Sequence, residues 1–311
     1  SISADLYGDG RDDLALFYFS KGANYASLTT TNSITSEFIP WNNSSHKKII
    51  KGLLVNTKNA NTFTGKQGKE GIDILAKNLS RILTIKESKS KKGTNETVKI
   101  KDLIFASTGV IGEKFPIQKI RKAIPKLIKN NKISSARNWL NAAKAIMTTD
   151  TIPKMCKNSF FLNKKKISIA GIAKGSGMIF PNMGTMLGFI FTNLNISNQL
   201  LKLALKNNLD KTFNAVSVDG DTSTNDMVLL FSTEKAKNKK MILRKRYIRV
   251  FFSKKVKEGL KSNLKKTYEL DLNQRLWLVH KASVYQLDVA REKFLKQVQV
   301  FPLIIPLAKS F

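Results

Sequence analysis

The sequence predicts an α+β fold, a chain of interspersed strands and helices built around one large domain or two smaller ones. Three observations predict it. Short apolar runs rich in Val, Ile, Leu and Phe recur at 14–19, 49–55, 103–106, 167–173, 186–191 and 227–231; they read as buried strands. Between several of them lie segments with apolar residues three and four apart, the spacing of an amphipathic helix. The 311 residues are 42% apolar, enough for an ample core.

Taken in order, residues 10–20, GRDDLALFYFS, form a first strand. Residues 26–39 form a second, with a turn at Thr31-Asn32-Ser33. The run 48–56 is another strand. It ends in NTKNANTFTGKQG, where Asn and Thr side chains bind their own backbone and favour a loop. Ile72, Leu75, Ala76, Leu79 and Ile82 mark a helix over 69–85, and the polar stretch 86–99 reads as an exposed loop. Leu103 to Ala106 form a strand running into Ser107-Thr108-Gly109. Pro116 opens a helix through Ile120, Ile124 and Leu127, which Pro125 ends or kinks. The next helix starts at Ser135, sets Ala136, Trp139, Ala143 and Ile146 on one face, and ends at Thr148-Thr149-Asp150. A polar turn at 162–166 precedes the strand 167–173. Asn195-Ile196-Ser197 caps a helix through Leu200, Leu203, Ala204 and Leu205. Two strands, 216–218 and 227–231, close this region around DGDTSTND, whose acids lack the spacing and final Glu of a calcium loop.

The stretch richest in chemistry is KGSGMIFPNMGTML, Lys174 to Leu187. Gly175 and Gly177 let the backbone approach a ligand closely. Gly184 leaves the Thr185 hydroxyl open. Cutting the 184–185 bond would give Thr185 a free α-amine, of ordinary pKa about 8, beside its own hydroxyl. Lys174, delivered by a strand, can pair with an amino-acid carboxylate. Ser107-Thr108-Gly109 end a strand in a turn that offers N–H groups and a hydroxyl to a cleft, as the oxyanion of acyl transfer requires. On pattern alone, each of these also reads as an ordinary turn.

KGSGMIFPNMGTML is similar to the central signature of the ornithine acetyltransferase family of arginine biosynthesis, bifunctional with glutamate N-acetyltransferase. VNTKNANTFTGKQG (55–68), STGVIGE (107–113), AIMTTDTIPK (145–154) and TFNAVSVDGDTSTND (212–226) resemble further blocks in the same order. The resemblance covers about residues 8–231, with Lys58 where the family usually has Gly. It implies an N-terminal-nucleophile-like αββα sandwich with mixed sheets. It also implies autocleavage between Gly184 and Thr185, so that 1–184 form an α fragment and 185–232 begin a β fragment. Two fragments of each kind would assemble as a heterotetramer. Thr185 is then the implied nucleophile, Thr108 and Gly109 the oxyanion donors, and Thr148, Lys174 and Thr185 the substrate contacts. The implied substrates are N-acetylornithine and glutamate, with acetyl-CoA accepted by some members. No metal or bound cofactor is required.

Residues 233–311 are lysine-rich and do not match: the family's DGEGATK block, whose Glu meets the substrate, and its later Asn and Thr contacts are not recognisable. A shifted or shortened reading frame would account for this, as would a divergent basic arm. Either way the expectation is impaired folding, self-cleavage and transfer. The net charge is +32, yet the lysines are scattered and not interleaved with aromatics, so a solvated surface is expected rather than a nucleic-acid platform. No run of 18 apolar residues points to a membrane span, and the polar, acidic start is unlike a signal peptide. The single cysteine, Cys156, reads as a small buried filler and fits a reducing, cytoplasmic setting. With only His46 and His280, a histidine triad or zinc site has little support. The competing readings are a related self-processing peptidase or amidase, and a non-catalytic basic binding protein.

Overall fold

The computed structural model describes residues 1–44, 49–89, 97–130, 134–178, 186–210, 212–218 and 220–242. Among these residues seven strands form one mixed sheet: β1 (Leu14–Thr29), β2 (Ile49–Asn56), β3 (Leu103–Ser107), β4 (Lys154–Leu162), β5 (Lys165–Lys174), β6 (Leu187–Thr192) and β7 (Met227–Ser232). Their order across the sheet is β3-β2-β1-β7-β6-β5-β4. The pairs β2–β3 and β6–β7 are parallel and the rest antiparallel. Among the described residues five α-helices accompany it: α1 (Phe38–Asn43), α2 (Gly65–Ser88), α3 (Ile117–Asn130), α4 (Ala136–Ala145) and α5 (Asn198–Leu209). This is the α+β arrangement with a mixed sheet that the sequence led us to expect.

β1 bends sharply within itself. Leu14 pairs with Asn56, which pairs with Ser107, while Thr29 pairs with Met227. A straight strand of this length would hold its ends roughly 50 Å apart. Asn225, two residues before Met227, nevertheless lies 3.0 Å from the Ser107 hydroxyl. The register of β1 against β2 slips between Tyr18 and Ala23, with antiparallel pairing on both sides, and Gly22 there takes φ 75°, so the strand bends sharply at a bulge over 19–22. The two strands expected over 10–20 and 26–39 are thus the two limbs of β1. The second limb stops at Thr29, and Phe38 and Ile39 belong to a helix instead.

The sheet buries side chains on both faces, as strand alternation requires. On one face, Leu54, Leu103 and Phe105 pack with Ile72, Leu75 and Leu79 of α2 and with Ile120, Ile124 and Leu127 of α3. On the other, Phe189, Phe191 and Phe231 pack with Phe17, with the α4 alanines 142, 143 and 145, and with Trp139. Trp139 meets Phe191 edge-on at 5.0 Å between centroids, and Phe191 stacks on Phe231 at 5.3 Å. Such pairs each add about 0.5–1.5 kcal/mol beyond the area they bury.

Ser135 and Ser197 cap α4 and α5, accepting from the N–H of Asn138 and Leu200, as their positions predict. Other expectations need correction. α2 starts at Gly65 and runs to Ser88, so 86–88 are helical rather than loop. α3 continues through Pro125, which sits on the solvent side where water can satisfy the carbonyl it orphans. β4 gave no strand signal because it lies at the sheet edge and exposes most of its side chains. Residues 216–218 form no strand; a 3₁₀ turn, Phe213–Ala215, precedes them. Cys156 is half-buried on β4 rather than a core filler. His46, Gly184, Thr185, Asp219, His280 and nearly all of 233–311 beyond Ile242 lie outside the described residues. Among the described residues no helix is long and apolar enough to cross a membrane.

The bend in β1 is testable. A Cβ on Gly22 would sit 2.4 Å from Ile49 Cγ2, whereas one on Gly10, at φ 77°, would meet nothing within 4 Å. Gly10→Ala is expected to cost about 1–2 kcal/mol from backbone conformation alone. Gly22→Ala is expected to cost clearly more, read as a lower urea midpoint at unchanged slope.

Candidate functional site

The ends of β2, β3 and β5 and the starts of β6 and β7 converge on one end of the sheet, because of the bend in β1. A carboxamide joins the loops there. Asn225 Nδ2 donates to the Ala60 carbonyl at 2.7 Å and to the Ser107 carbonyl at 2.9 Å. Its Oδ1 accepts from the hydroxyls of Thr62 at 3.0 Å and Thr224 at 2.6 Å. Ser36 and Ser107 also donate to the Ala60 carbonyl. All these side chains are buried, so these bonds replace the water they have lost.

This network places Thr108 and Gly109. The Thr108 N–H donates to Asn56, leaving its hydroxyl for the site. Gly109 has φ 137°, and a Cβ there would lie 2.1 Å from the carbonyl carbon of Lys58. Only glycine fits. Lys58 in turn holds φ 71°, the left-handed region, and its carbonyl accepts from the Val110 N–H at 2.8 Å. The conformation is one that glycine adopts without cost, which explains the resemblance's usual residue here. Among the described residues the Gly109 N–H has no backbone acceptor.

Lys174, at the end of β5, is only 3% exposed and donates to Thr108 Oγ1 at 3.1 Å. Burial pushes its pKa down, against the pull of Asp150 and Asp226. Asp150 holds the neighbouring loop: Oδ1 accepts from Lys154 Nζ and the Gly175 N–H, both at 2.7 Å, and Oδ2 from the Thr148 N–H at 3.2 Å. Burial pushes this carboxyl up, but the Lys154 and Gly175 hydrogen bonds and the charge of Lys174 outweigh it and hold it below its ordinary value.

Asp226 stands in the opposite condition. It is 1% exposed, and its Oδ1 accepts from the Met186 N–H at 2.6 Å. Its Oδ2 is buried without a hydrogen-bond partner among the described residues. Burial pushes its pKa to about 8, with the Met186 N–H, the Ser223 hydroxyl and Lys174 opposing. Thr108, Lys174, Met186, Leu187, Ser223, Asn225 and Asp226 line one shallow, tightly closed recess.

Of the residues singled out from the sequence, Thr108, Gly109 and Lys174 come together, and the Thr148 backbone is tied to them through Asp150. Gly184 and Thr185 lie outside the described residues, but Met186, one peptide bond from Thr185, lines the recess. Sequence reasoning missed the joining role of Asn225, the unpartnered oxygen of Asp226 and the Asp150–Lys154 pair. The available signal was TSTND, five polar residues leading directly into the wholly apolar 227–231.

Fold and site thus define a mixed-sheet α+β protein with a buried lysine, hydroxyl and carboxyl at one end of its sheet. The chain belongs to the ArgJ family, whose profile matches residues 1–267. It is 35% identical over 238 residues to the arginine biosynthesis bifunctional protein ArgJ of Bartonella quintana, covering 76% of this chain and 54% of that one. The mitochondrial ArgJ of Dictyostelium discoideum is also 35% identical, over 245 residues, covering 78% of this chain and 51% of that one. The chain therefore spans about half the length of the curated relatives it matches. The crystal structure of ArgJ from Bacillus halodurans shares the fold, with a TM-score of 0.51 at 24% identity, over 60% of this chain and 88% of that one.

Two predictions follow from the site. Asn225→Ala strips the acceptor from two buried hydroxyls and the donor from two carbonyls. It is expected to cost about 2–4 kcal/mol in urea unfolding. Asp226 keeps a proton when folded that the unfolded chain releases between its ordinary pKa of 3.8 and about 8. Stability contributed by this group therefore falls as pH rises through that window and levels off above it. Asp226→Asn, still able to accept from Met186, is expected to flatten the fall in unfolding free energy measured from pH 5 to pH 8.5.

Proposed function

We propose that the chain is an acetyltransferase of arginine biosynthesis, moving an acetyl group from N-acetylornithine to glutamate through an ester on Thr185. The observation that carries this reading is the 3.1 Å bond from Lys174 to the Thr108 hydroxyl in a recess that Met186 also lines.

Self-cleavage comes first. The Thr185 hydroxyl adds to the Gly184 carbonyl, the 184–185 C–N bond breaks, and the hydroxyl proton goes to the departing nitrogen. Water then hydrolyses the ester, restoring the hydroxyl and leaving a carboxylate on Gly184. In transfer, the Thr185 amine takes the hydroxyl proton as the oxygen attacks the acetyl carbon. The Thr108 hydroxyl and the Gly109 N–H receive the oxyanion. Lys174 strengthens the first of these donors, since a cation bonded to the hydroxyl oxygen polarises its O–H. Ornithine leaves with the proton, and the glutamate amine takes the acetyl group by the reverse path. Lys174 and Thr148 serve substrate binding. Assembly of two α and two β fragments, and acetyl-CoA as a second donor, belong to the same proposal, in which no bound cofactor takes part.

The test is processing and transfer by the purified chain. Two fragments meeting at 184/185, formed incompletely, with slow acetyl transfer from N-acetylornithine to glutamate, are expected, and Thr185→Ala abolishes both. One intact, inactive band indistinguishable from Thr185→Ala overturns the reading. Lys174→Met is expected to lower kcat/KM at least 100-fold, about 2.7 kcal/mol.

A further inference from the structure

Two turns meet beside the recess, and one buried carboxylate joins them. Asp150 Oδ1 accepts from the Gly175 N–H, and its Oδ2 accepts from the Thr148 N–H. The hydroxyls of Thr149 and Ser176 add a bond of 2.7 Å between the same turns. The Asp150 and Lys154 side chains are 0% and 6% exposed, and their ion pair measures 2.7 Å. Lys154 opens β4 and stands in register with Ala173, the residue before Lys174. Gly175 is the residue after it. The carboxylate is therefore anchored on both flanks of Lys174, with three donors that favour its ionised form.

Resting on the acetyl-transfer reading above, we propose that Asp150 is a positioning residue for that reaction: its negative charge keeps buried Lys174 an ammonium group, and the ammonium group turns the Thr108 O–H toward the cleft. An ammonium nitrogen has no lone pair, so it can only donate to Thr108 Oγ1, as it does at 3.1 Å. The hydroxyl hydrogen must then go elsewhere, and among the described residues it meets no acceptor. It is left for the oxyanion. A neutral amine has a lone pair. It would accept that hydrogen and withdraw the donor from the reaction. One proton on Lys174 thus sets the direction of the bond.

The groups that act on Lys174 divide by sign. Burial favours the amine, and Lys154 on β4 pushes the same way. Asp150 gives the strongest pull toward the ammonium, and Asp226, just before β7, the next. Asp226 keeps its proton up to about pH 8, so it adds little charge at neutral pH. Among the described residues, Asp150 is then the ionised acid that holds the ammonium form. Thr108 and Lys174 are the groups that meet the reacting atoms, and Asp150 acts through them.

The test follows the ¹³Cε resonance of Lys174 against pH in the full-length chain, identified by its loss in Lys174→Met. Asp150→Asn keeps an acceptor for the Gly175 N–H but removes the charge. It is expected to lower the Lys174 midpoint by about 1 pH unit or more. Lys154→Met removes the opposing charge and is expected to raise it. Thr108→Val takes the acceptor from the ammonium and is expected to lower it. An unmoved midpoint in Asp150→Asn, or a rise in Thr108→Val, overturns the proposal. Should Asp150→Asn not fold, Asp150→Asn with Lys154→Met removes both halves of the buried pair. Its midpoint is expected below that of Lys154→Met alone, and an equal one sinks the idea. In acetyl transfer, the alkaline fall of kcat/KM is expected to move to lower pH in Asp150→Asn, following the lysine. A lower plateau with an unmoved fall marks a merely structural role and counts against the proposal. The titrations need no turnover. A parent that transfers nothing overturns the acetyl-transfer reading, while the midpoints still decide the relation of Asp150, Lys174 and Thr108.

Discussion

The carboxamide of Asn225 is the constraint on which the site depends. Three segments far apart in sequence, around residues 60, 107 and 225, meet through one side chain whose donors and acceptor are all engaged. Loops of this composition have no apolar contacts to hold them, so directional bonds in a water-free setting must do so. Because an unmatched partner in such a setting costs more than a matched one contributes, the network admits few alternative arrangements. The Thr108–Gly109 turn inherits its position from that rigidity.

Around this frame the charges are arranged by how completely each is matched. Asp150 accepts from a lysine and two backbone N–H groups and remains ionised, which fixes the loop carrying Thr148 and the turn at Gly175 together. Lys174 is buried against a hydroxyl and loses some of its preference for the proton. Asp226 is matched on one oxygen only and keeps its proton. Two carboxyls that both act on Lys174, with pKa values driven apart by their surroundings, have different chemical availabilities at neutral pH.

The framework was largely legible in the sequence where burial imposes a period. β2, β3, β5, β6 and β7 are nearly continuous apolar runs, and the serine caps of α4 and α5 announced their helices. β4 was not legible because an edge strand need not alternate, and α1 was hidden because Phe38 and Ile39 look like the end of a strand. The bend in β1 was hidden because it is marked by a single glycine inside an otherwise unbroken extended run. The lysine, hydroxyl and glycine of the site could be named from spacing and resemblance. Its supports could not, since Asn225 and Asp226 look like any polar turn until the fold carries them into the interior.

The β4 edge bears on how such a sheet survives in a crowded solution. Among the described residues its outer side pairs with no strand, and it exposes Met155 and Phe161, so it offers open amides beside oily side chains. Lys157 and the run Lys164–Lys166 are exposed along the same hairpin, and their mutual repulsion opposes the end-to-end stacking of copies that bare edges invite. Part of the unusual basicity of the chain thus serves as a colloidal guard on its most adhesive margin.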